Sequence, residues 1–348
     1  MKGFARRLID CKDYYCSISS EAKWLNSKKW AVGNLFFDYK RQITVTEQSG
    51  NDLTDYQVLI ELNSTNFDFS HANSDGSDVR FHDGNNLLNY WIEKWNSVNQ
   101  EAKIWVKVPS IPTNSSVSFH MYYGNPNAVS ASNGEDTFEF FDDFEDNSIN
   151  TSKWEDMGYG YESNGRLGVS STPVHSNVIG LKIKNFTINF SIDKYAVEMR
   201  KVRKCNTTYY EDWAIVIRFF LDDNNYIDLS YGIEDGDNRK IFLVKKIGGT
   251  QTTIADTRQY IVDEDKDERF LINQGNIKEE YKNPTDSNWN EYGNFIYNVD
   301  GEHEILVHYK FDGLPSNSHA LKQNFDLFFI HKYTDPEPSV GIGSEETP

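Results

Sequence analysis

The 348-residue chain has few cysteines, few methionines and no long apolar segment. Its three cysteines, Cys11, Cys16 and Cys205, do not make a disulfide framework, because such frameworks need paired, regularly spaced cysteines. No CxxC pair is present, so we expect no structural zinc site. No apolar run reaches the ~18 residues that would span a bilayer, and we therefore predict no membrane insertion.

Positive charge is scarce and is concentrated at one end. The net charge of −18 argues against nucleic-acid binding, which needs basic patches to displace counterions. Residues 1–32 are the exception, with seven Lys and Arg against three Asp and Glu. We predict that a basic N-terminal arm, residues 1–36, docks on an acidic surface of another copy or of a larger assembly. A solvated, poorly ordered terminus is the alternative.

Six segments in the first third of the chain alternate apolar and polar residues and are bounded by Gly, Pro, Asn or Asp. This pattern is typical of antiparallel strands. The predicted strands are 39–46, 56–62, 79–82, 88–95, 103–108 and 117–123. No helical period lies between them, so we predict a small antiparallel β-sandwich over residues 37–132.

Five pieces of this region also resemble a known family: 56–63, 74–81, 90–95, 104–109 and 121–126. Over roughly residues 37 to 140 they are similar to a module of archaeal and bacterial surface proteins, domain-of-unknown-function family 2341. The family has no agreed activity. The resemblance therefore implies a fold and a surface setting, and no chemistry.

A linker, residues 133–137, precedes a second predicted domain, residues 138–348. Its opening block, 141–154, resembles the first strand and turn of the concanavalin A-like lectin/glucanase superfamily. The resemblance implies a two-sheet jelly roll whose first strand pairs with its last, here 339–344. We predict a long surface loop at the Asn-rich segment 274–297. The predicted fold class is all-β, with two antiparallel β-sandwich domains, a small sandwich plus a concanavalin A-like jelly roll.

Catalytic motifs are missing. Glucanases of this superfamily carry Glu-x-Asp-x-Glu on one strand, which places alternate carboxylates on one face. Here Glu198 has basic neighbours and Asp228 stands alone on its strand. Nucleophile elbows, metalloprotease motifs and phosphate-binding loops are also absent. We predict that the chain is not an enzyme; a glycan-degrading enzyme with an unrecognised carboxylate pair is an alternative.

The chain is rich in aromatic residues, with 22 Phe, 20 Tyr and 8 Trp. Strand alternation predicts an aromatic strip with polar neighbours on the outer face of the first sandwich. The predicted ligand-binding residues are Trp91, Trp95, Trp105, Tyr122, Asn89 and Glu93. Flat aromatic rings stack on sugars, so this strip predicts glycan binding. The alternative is a buried interface, since an exposed strip of that size is unusual on a monomer.

Two further sets of polar residues are candidates for sites. Asp142, Asp143 and Asp146 are the predicted ligands if the protein binds calcium, which takes carboxylate and carbonyl oxygens. The same Asp-rich loops also make ordinary turns, and no EF-hand spacing occurs. Asp78 and Arg80 alternate onto one strand face and are predicted to pair structurally.

Six Asn-x-Ser/Thr sequons occur in the sequence. They begin at Asn63, Asn114, Asn150, Asn185, Asn189 and Asn206. They permit N-glycosylation in an extracellular setting, although a chain rich in Asn, Ser and Thr produces such matches by chance.

These observations predict a non-enzymatic surface or virion structural protein that binds carbohydrate or protein through its sandwiches. A tail fibre, a baseplate adhesin or a capsid decoration protein would be of this type. No secretory signal is recognisable before Asp10, so either a signal was removed or lost, or the protein reaches the outside as part of a virus particle. The predicted location is the extracellular surface or a virus particle. The second hypothesis is a purely structural lattice protein without a ligand.

Overall fold

The computed structural model describes residues 29–158, 160–170, 179–204, 213–234, 238–256, 264–309 and 322–348. Strands dominate these residues, and every strand pairing among them is antiparallel. The chain forms two compact units, one ending at Thr137 and resuming at Asp335, the other running over Phe138–Thr334. The predicted all-β class with two antiparallel sandwiches is confirmed. Within the described ranges no helix has the length and hydropathy needed to cross a membrane.

The strands are numbered in chain order. The first unit contributes β1 (Trp30–Val32), β2 (Leu35–Phe37), β3 (Tyr39–Thr46), β4 (Leu53–Asn63), β5 (Arg80–His82), β6 (Tyr90–Asn96), β7 (Glu101–Ile111) and β8 (Ser116–Tyr123). A 3₁₀ turn (Phe69–His71) and a short helix, α1 (Gly134–Thr137), lie between and after them.

The second unit contributes sixteen strands among its described residues. They are β9 (Phe140–Asp142), β10 (Trp154–Asp156), β11 (Gly160–Glu162), β12 (Leu167–Ser170), β13 (Ile179–Ile188), β14 (Lys194–Lys204), β15 (Trp213–Asp222), β16 (Asn225–Glu234), β17 (Asn238–Ile247), β18 (Thr250–Ala255), β19 (Asp265–Asn273), β20 (Asn276–Lys282), β21 (Asn290–Ile296), β22 (His303–Tyr309), β23 (Lys322–Phe325) and β24 (Leu327–Lys332). The last strand, β25 (Ser339–Glu346), belongs to the first unit.

The first unit is a sandwich of a four-stranded sheet, β25-β3-β8-β5, and a three-stranded sheet, β4-β7-β6. Alternate residues of both sheets point inward and share one buried cluster, in which Ile43 and Phe119 come from one sheet and Ile60 and Ile104 from the other. The predicted strand at 39–46 coincides with β3. Burying these side chains removes their apolar surface from water, and this drives the two sheets together.

The C-terminal strand corrects one prediction. Residues 339–344 were predicted to pair with the first strand of the second domain, but β25 pairs with β3, with Val340 opposite Val45 and Ile342 opposite Ile43. β9 pairs with β24 instead. Val340 and Ile342 alternate with glycines and pack against the core of the first unit, so β25 completes that sandwich. The second unit is therefore an insertion between β8 and β25, and its predicted extent to residue 348 is too long.

The second unit is a larger sandwich built from a seven-stranded and a nine-stranded sheet. The seven strands run in the order β10-β13-β22-β15-β16-β17-β18. The other sheet follows the path β11-β12-β23-β14-β19-β20-β21; β24 also pairs with β14, and β9 pairs with β24. One buried apolar cluster fills the space between them, with Phe219 and Phe270 in edge-to-face contact at 5.1 Å.

The predicted surface loop at 274–297 is wrong, because two strands, β20 and β21, pair within it. These strands were missed because the segment is mostly polar. Ile277 and Phe295 are the apolar residues that they place in the core. The predicted linker at 133–137 contains α1, whose Gly134 and Thr137 are buried.

Residues 1–28 of the predicted basic arm lie outside the described residues. The remaining part of the arm forms the β1–β2 hairpin. Its Phe37 is fully buried, and the Lys40 ammonium lies 3.8 Å from the centre of the Trp30 ring. This hairpin lies against the outer face of the four-stranded sheet, because Lys40 and Tyr122 both point to that side.

Candidate functional site

The structure keeps two of the predicted ligand-binding tryptophans together but does not leave them open. Trp91 and Trp105 are cross-strand neighbours on β6 and β7, and the Trp105 indole donates a 2.7 Å hydrogen bond to Glu93. Trp105 is only 4% exposed and Trp91 is half-buried. A sugar cannot stack on a ring that is already covered, so Trp105 does not form the predicted open platform.

Trp95 lies on the opposite face from the one predicted. A β-bulge between Ile92 and Lys94 inserts Glu93 as an extra residue, which reverses the alternation for the rest of β6. Trp95 then packs edge-on against Phe67 and Phe69, at ring distances of 5.8 and 5.2 Å. It belongs to the core side of the sandwich.

Tyr122 and Asn89 also do not join the strip. Tyr122 is on β8, in the other sheet of the sandwich from Trp91 and Trp105, so its outer face points away from theirs. The ring of Phe37 covers it at 6.1 Å. Asn89 is exposed and donates to the backbone carbonyl of Asp136 at 3.2 Å. The predicted single face is therefore split between two sheets.

The predicted calcium ligands do not converge. Asp142 is buried and accepts hydrogen bonds from the Trp154 indole at 2.8 Å and from the Phe144 amide at 3.2 Å. Asp146 accepts from the Ser148 amide in its own turn, and Asp143 is half-buried beside Asp142. In the described part of the chain, no three His, Cys, Asp or Glu side chains are grouped so that they could hold a metal ion. Calcium binding remains a prediction from sequence.

Glu162 on β11 is a titratable group that sequence reasoning missed. Burial raises the pKa of Glu162 to about 7, and the neighbouring carboxyls of Asp146 and Asp142 add to the rise. The rise in the pKa of Glu162 depends on the fold, because Glu162 on β11 is brought close to Asp142 and Asp146, which lie 16 or more positions earlier in the sequence. The side chain is therefore protonated in the folded protein over a pH range in which an unfolded glutamate is ionised.

We expect Glu162→Gln to change how stability depends on pH. The folded-state pKa is raised, so the stabilisation from the protonated carboxyl is complete below pH 4.5 and is lost as pH rises toward 7. The glutamine variant should keep its thermal midpoint over that range and exceed the wild type at pH 8, by no more than about 1 kcal/mol after solvent screening. Thermal melts at pH 4.5, 6 and 8 measure this. The exposed Glu145→Gln should follow the wild-type profile, and parallel profiles for all three proteins would contradict the assignment.

Glu198 lies on β14, and the structure pairs it with basic side chains. Its carboxylate lies 2.6 Å from the Arg200 guanidinium and 2.9 Å from the His331 ring. Burial alone would raise the pKa of Glu198, but Arg200 and then His331 hold it well below its usual range. A carboxylate that is buried, ionised and doubly paired is poorly placed to donate a proton to a leaving group.

An open cleft of about 400 Å³ lies at one end of the first sandwich. We call it the polar cleft. It is lined by Arg41, Ser64, Thr65, Asn66, Phe67, Asp68 and Gln100. Three segments supply these residues: β3, the loop after β4, and the turn between β6 and β7. Their separation in sequence explains why no local motif indicated this site.

The loop after β4 is fixed by its own side chains. The Asn63 side-chain oxygen, Oδ1, accepts from the Thr65 backbone amide at 2.9 Å. The Asn66 side chain accepts from the Asn63 backbone amide at 2.8 Å and donates to the Glu61 backbone carbonyl at 3.1 Å. Asp68 then accepts from the Ser70 amide at 3.0 Å, which begins the 3₁₀ turn. These bonds hold the loop in one conformation before any ligand arrives, and this lowers the entropy cost of binding.

Arg41 forms the wall of the polar cleft, and the C-terminal strand holds it there. Its Nε donates to the Tyr123 hydroxyl at 3.0 Å and one terminal nitrogen donates to the Gly343 carbonyl at 2.9 Å. The other terminal nitrogen lies 4.0 Å from Glu345, which also accepts from the Tyr123 hydroxyl at 2.8 Å. The guanidinium is thus locked against β25 with its remaining N–H groups at the cleft.

The rim of the polar cleft is acidic and aromatic. The Tyr39 and His71 rings stack at 4.1 Å, and His71 lies 3.0 Å from Glu345 and 3.7 Å from Asp68. Hydrogen bonds from Ser70 lower the pKa of Asp68, so its carboxyl stays ionised. Burial raises the pKa of Tyr39, and the carboxylates of Glu345 and Asp68 add to the rise. The cleft therefore offers hydrogen-bond donors and acceptors together.

Comparison with known proteins places this chain among uncharacterised relatives. A family described as "Domain of unknown function (DUF2341)" matches residues 75–157. An uncharacterized protein of Methanocaldococcus jannaschii is 30% identical over 132 residues, which are 34% of this chain and 24% of that protein. The chain thus spans about a quarter of this relative's length. The predicted resemblance over roughly residues 37–140 is confirmed in part, since the family match begins later, at residue 75, and ends beyond the predicted span, at residue 157.

Solved structures with a related architecture include glycoside hydrolases. The GH43 BlXynB protein from Bacillus licheniformis is 16% identical, with 71% of this chain and 50% of that chain covered and a TM-score of 0.42. The catalytic domain of an endo-1,3-beta-glucanase (laminarinase) from Thermotoga petrophila is 9% identical, with 56% and 97% covered and a TM-score of 0.42. Likenesses of this strength assign no activity to this chain.

These neighbours overturn one prediction, that the chain is not an enzyme. That prediction rested on the absence of a single motif. A missing Glu-x-Asp-x-Glu pattern does not by itself exclude catalysis by other carboxylates.

Proposed function

We propose that the first sandwich binds a carbohydrate in the polar cleft. Sugars present hydroxyl groups that both donate and accept hydrogen bonds, so their sites combine carboxylates, amides and guanidinium groups. Asp68, Gln100 and Arg41 supply one of each, within a volume in the usual range for small-ligand sites. The observation that carries the proposal is this mixed set of polar groups on a loop held rigid by its own hydrogen bonds.

The balance of charge supports a ligand without a strong negative charge. Arg41 is already close to Glu345, and Asp68 adds a second carboxylate at the rim. The surroundings of the cleft therefore place two carboxylates, Glu345 and Asp68, near the Arg41 guanidinium. A neutral, hydroxyl-rich ligand avoids the desolvation cost that an anion would meet there.

The setting of this activity stays a prediction from sequence. A surface protein or a virion component would meet host or cell-surface glycans, and the polar cleft would then act in adhesion. A role as a lattice protein without a ligand is the rival hypothesis, and it predicts no glycan binding at all.

We expect Gln100→Gly to weaken glycan binding about tenfold, because one amide hydrogen-bond partner is lost. Gln100 is exposed at φ 54°, a backbone conformation that glycine adopts without strain, so the fold should persist. Asn114→Gly is the matched control, since Asn114 is exposed at φ 50° at the other end of β7. Glycan-array screening followed by calorimetry on the full chain gives the affinities.

The same incubations should be checked for newly released reducing ends, so that turnover is not mistaken for weak binding. Equal affinities for the Gln100→Gly and Asn114→Gly variants would remove the polar cleft from consideration. A wild-type chain that binds no glycan on the array would overturn the proposed function itself.

A further inference from the structure

The Asn-x-Ser/Thr sequons differ sharply in their surroundings, although their sequences look equivalent. An acceptor asparagine needs a reachable side-chain amide nitrogen and a Ser or Thr hydroxyl two residues later. In the described residues these sequons begin at Asn63, Asn114, Asn150, Asn185 and Asn189. The hydrogen bonds around each asparagine show whether its side-chain nitrogen can be reached and whether the following hydroxyl is already bound elsewhere.

Asn63 has the competent geometry. It is exposed at the end of β4. Its amide oxygen accepts hydrogen bonds from the Thr65 backbone amide at 2.9 Å and from the Thr65 hydroxyl at 2.6 Å. The side chain is therefore held by its oxygen, and its Nδ2 group is the end that remains for reaction. The Thr65 hydroxyl and backbone amide thus fix the orientation of the Asn63 side chain within its own sequon.

Among the described residues, each of the other sequons lacks one of these features. Asn189 is buried, and its Nδ2 donates to Asp300 at 2.8 Å. The hydroxyls that follow Asn114 and Asn185 are used elsewhere, since Ser116 bonds to Thr46 and Thr187 donates to Glu302.

Asn150 repeats the oxygen-bonded turn, with the Ser152 hydroxyl at 2.6 Å, but it is half-buried. Within the described part of the chain, Asn63 is therefore the sequon that combines this turn with full exposure.

We propose that Asn63 is an acceptor site for N-linked glycosylation. The donor is a lipid-linked oligosaccharide, in which the first sugar is attached through a phosphate ester to a polyprenyl carrier. The Asn63 Nδ2 forms a bond to C1 of that sugar while the C1–O(phosphate) bond breaks. One amide proton passes to a base of the transferase, and the carrier phosphate leaves with the bonding electron pair, so no oxidant or reductant is needed.

A glycan at this position would act on the polar cleft. Asn63 immediately precedes Ser64 and Thr65, and both of these line the cleft. A sugar attached at Asn63 would stand at the cleft rim and compete with a ligand for the same polar groups. The modification itself stands independently of the proposed carbohydrate binding.

The test incubates the purified, folded full chain with an oligosaccharyltransferase and a lipid-linked donor, and maps modified peptides by mass spectrometry. Modification at Asn63 should be at least about tenfold faster than at Asn189, which reacts only through local opening. Asn63→Asp keeps the accepting oxygen and the turn but lacks the nucleophile, and it should lose the Asn63-dependent mass increase.

A synthetic peptide spanning 60–68 shows that enzyme and donor are active. If this peptide is modified while Asn63 in the folded chain is not, the proposal is overturned. Equal rates at Asn63 and Asn189 would also overturn it, because they would show that local structure does not select the site. Neither result depends on whether the polar cleft binds a free glycan.

Discussion

Replacing Asp78 by alanine is expected to destabilise the first sandwich by about 3–5 kcal/mol. The Asp78 carboxylate is fully buried and accepts three backbone hydrogen bonds, from Asn73 at 2.9 Å, Gly124 at 2.7 Å and Asn125 at 3.1 Å. Alanine would leave these buried N–H groups without an acceptor. Each then bears its full desolvation cost, which exceeds the modest net value of a hydrogen bond.

Hydrogen exchange, read on peptides from β7 and β8, measures this loss within the first sandwich alone. Asp75→Ala is the matched control, because Asp75 lies in the same loop, is exposed and accepts from the Ser77 amide in its own turn. It should cost less than about 1 kcal/mol. A loss for Asp78→Ala as small as this would show that the loop rearranges and supplies other acceptors.

Asp78 also shows what strand patterning can and cannot predict. Its alternation with Arg80 indicated a mutual ion pair, but the structure gives the two residues separate partners. Arg80 donates to the carbonyls of Val129 and Ser77 and to the Tyr90 hydroxyl. Both side chains fasten loops to the sandwich. Sequence spacing predicts which face of the strand a residue occupies. It does not predict which backbone groups will be its hydrogen-bond partners.

The strands of the first sandwich were predictable because each one buries alternate side chains. β3 was predicted to the residue, and β8 differs by one. The bulge in β6 was not predictable, since the extra residue, Glu93, has no distinguishing composition. This one insertion moves Trp95 from the predicted outer strip to the core side, next to Phe69. A register error of one residue is enough to invalidate a surface argument.

The neighbour with which a strand pairs is the second feature that the sequence did not predict. Nothing in residues 339–346 names β3 rather than β9 as a neighbour, because strand alternation shows which side chains are buried and not which strand lies alongside. The choice depends on which sandwich can bury Val340 and Ile342, and that is a property of the assembled core. The polar cleft was not predictable for a related reason. Residues 41, 64–68 and 100 are far apart in sequence, and Arg41 is held at the cleft by a hydrogen bond to Gly343 of β25.

Replacing Asp228 is expected to have a comparably large effect on the stability of the second unit. Sequence reasoning noted it as an isolated acid on its strand. In the structure it is opposite Arg218 on β15 and forms a two-pronged ion pair, with N···O distances of 2.5 and 2.6 Å. Arg218 is 8% and Asp228 is 5% exposed. Because so little water reaches the pair, each charge depends on the other.

We expect Asp228→Leu to lower the stability of the second unit by about 3–5 kcal/mol, because the Arg218 guanidinium stays buried without its counter-charge. The double variant Arg218→Met/Asp228→Leu should recover most of that loss, since it removes both charges and keeps apolar bulk. Hydrogen exchange on peptides from β16 and β17 measures both effects. If the double variant were as unstable as the single one, Asp228 would owe its importance to its other contacts. Glycan binding at the polar cleft should be unchanged in the double variant, and any hydrolysis that persists in it cannot use Asp228 as its acid.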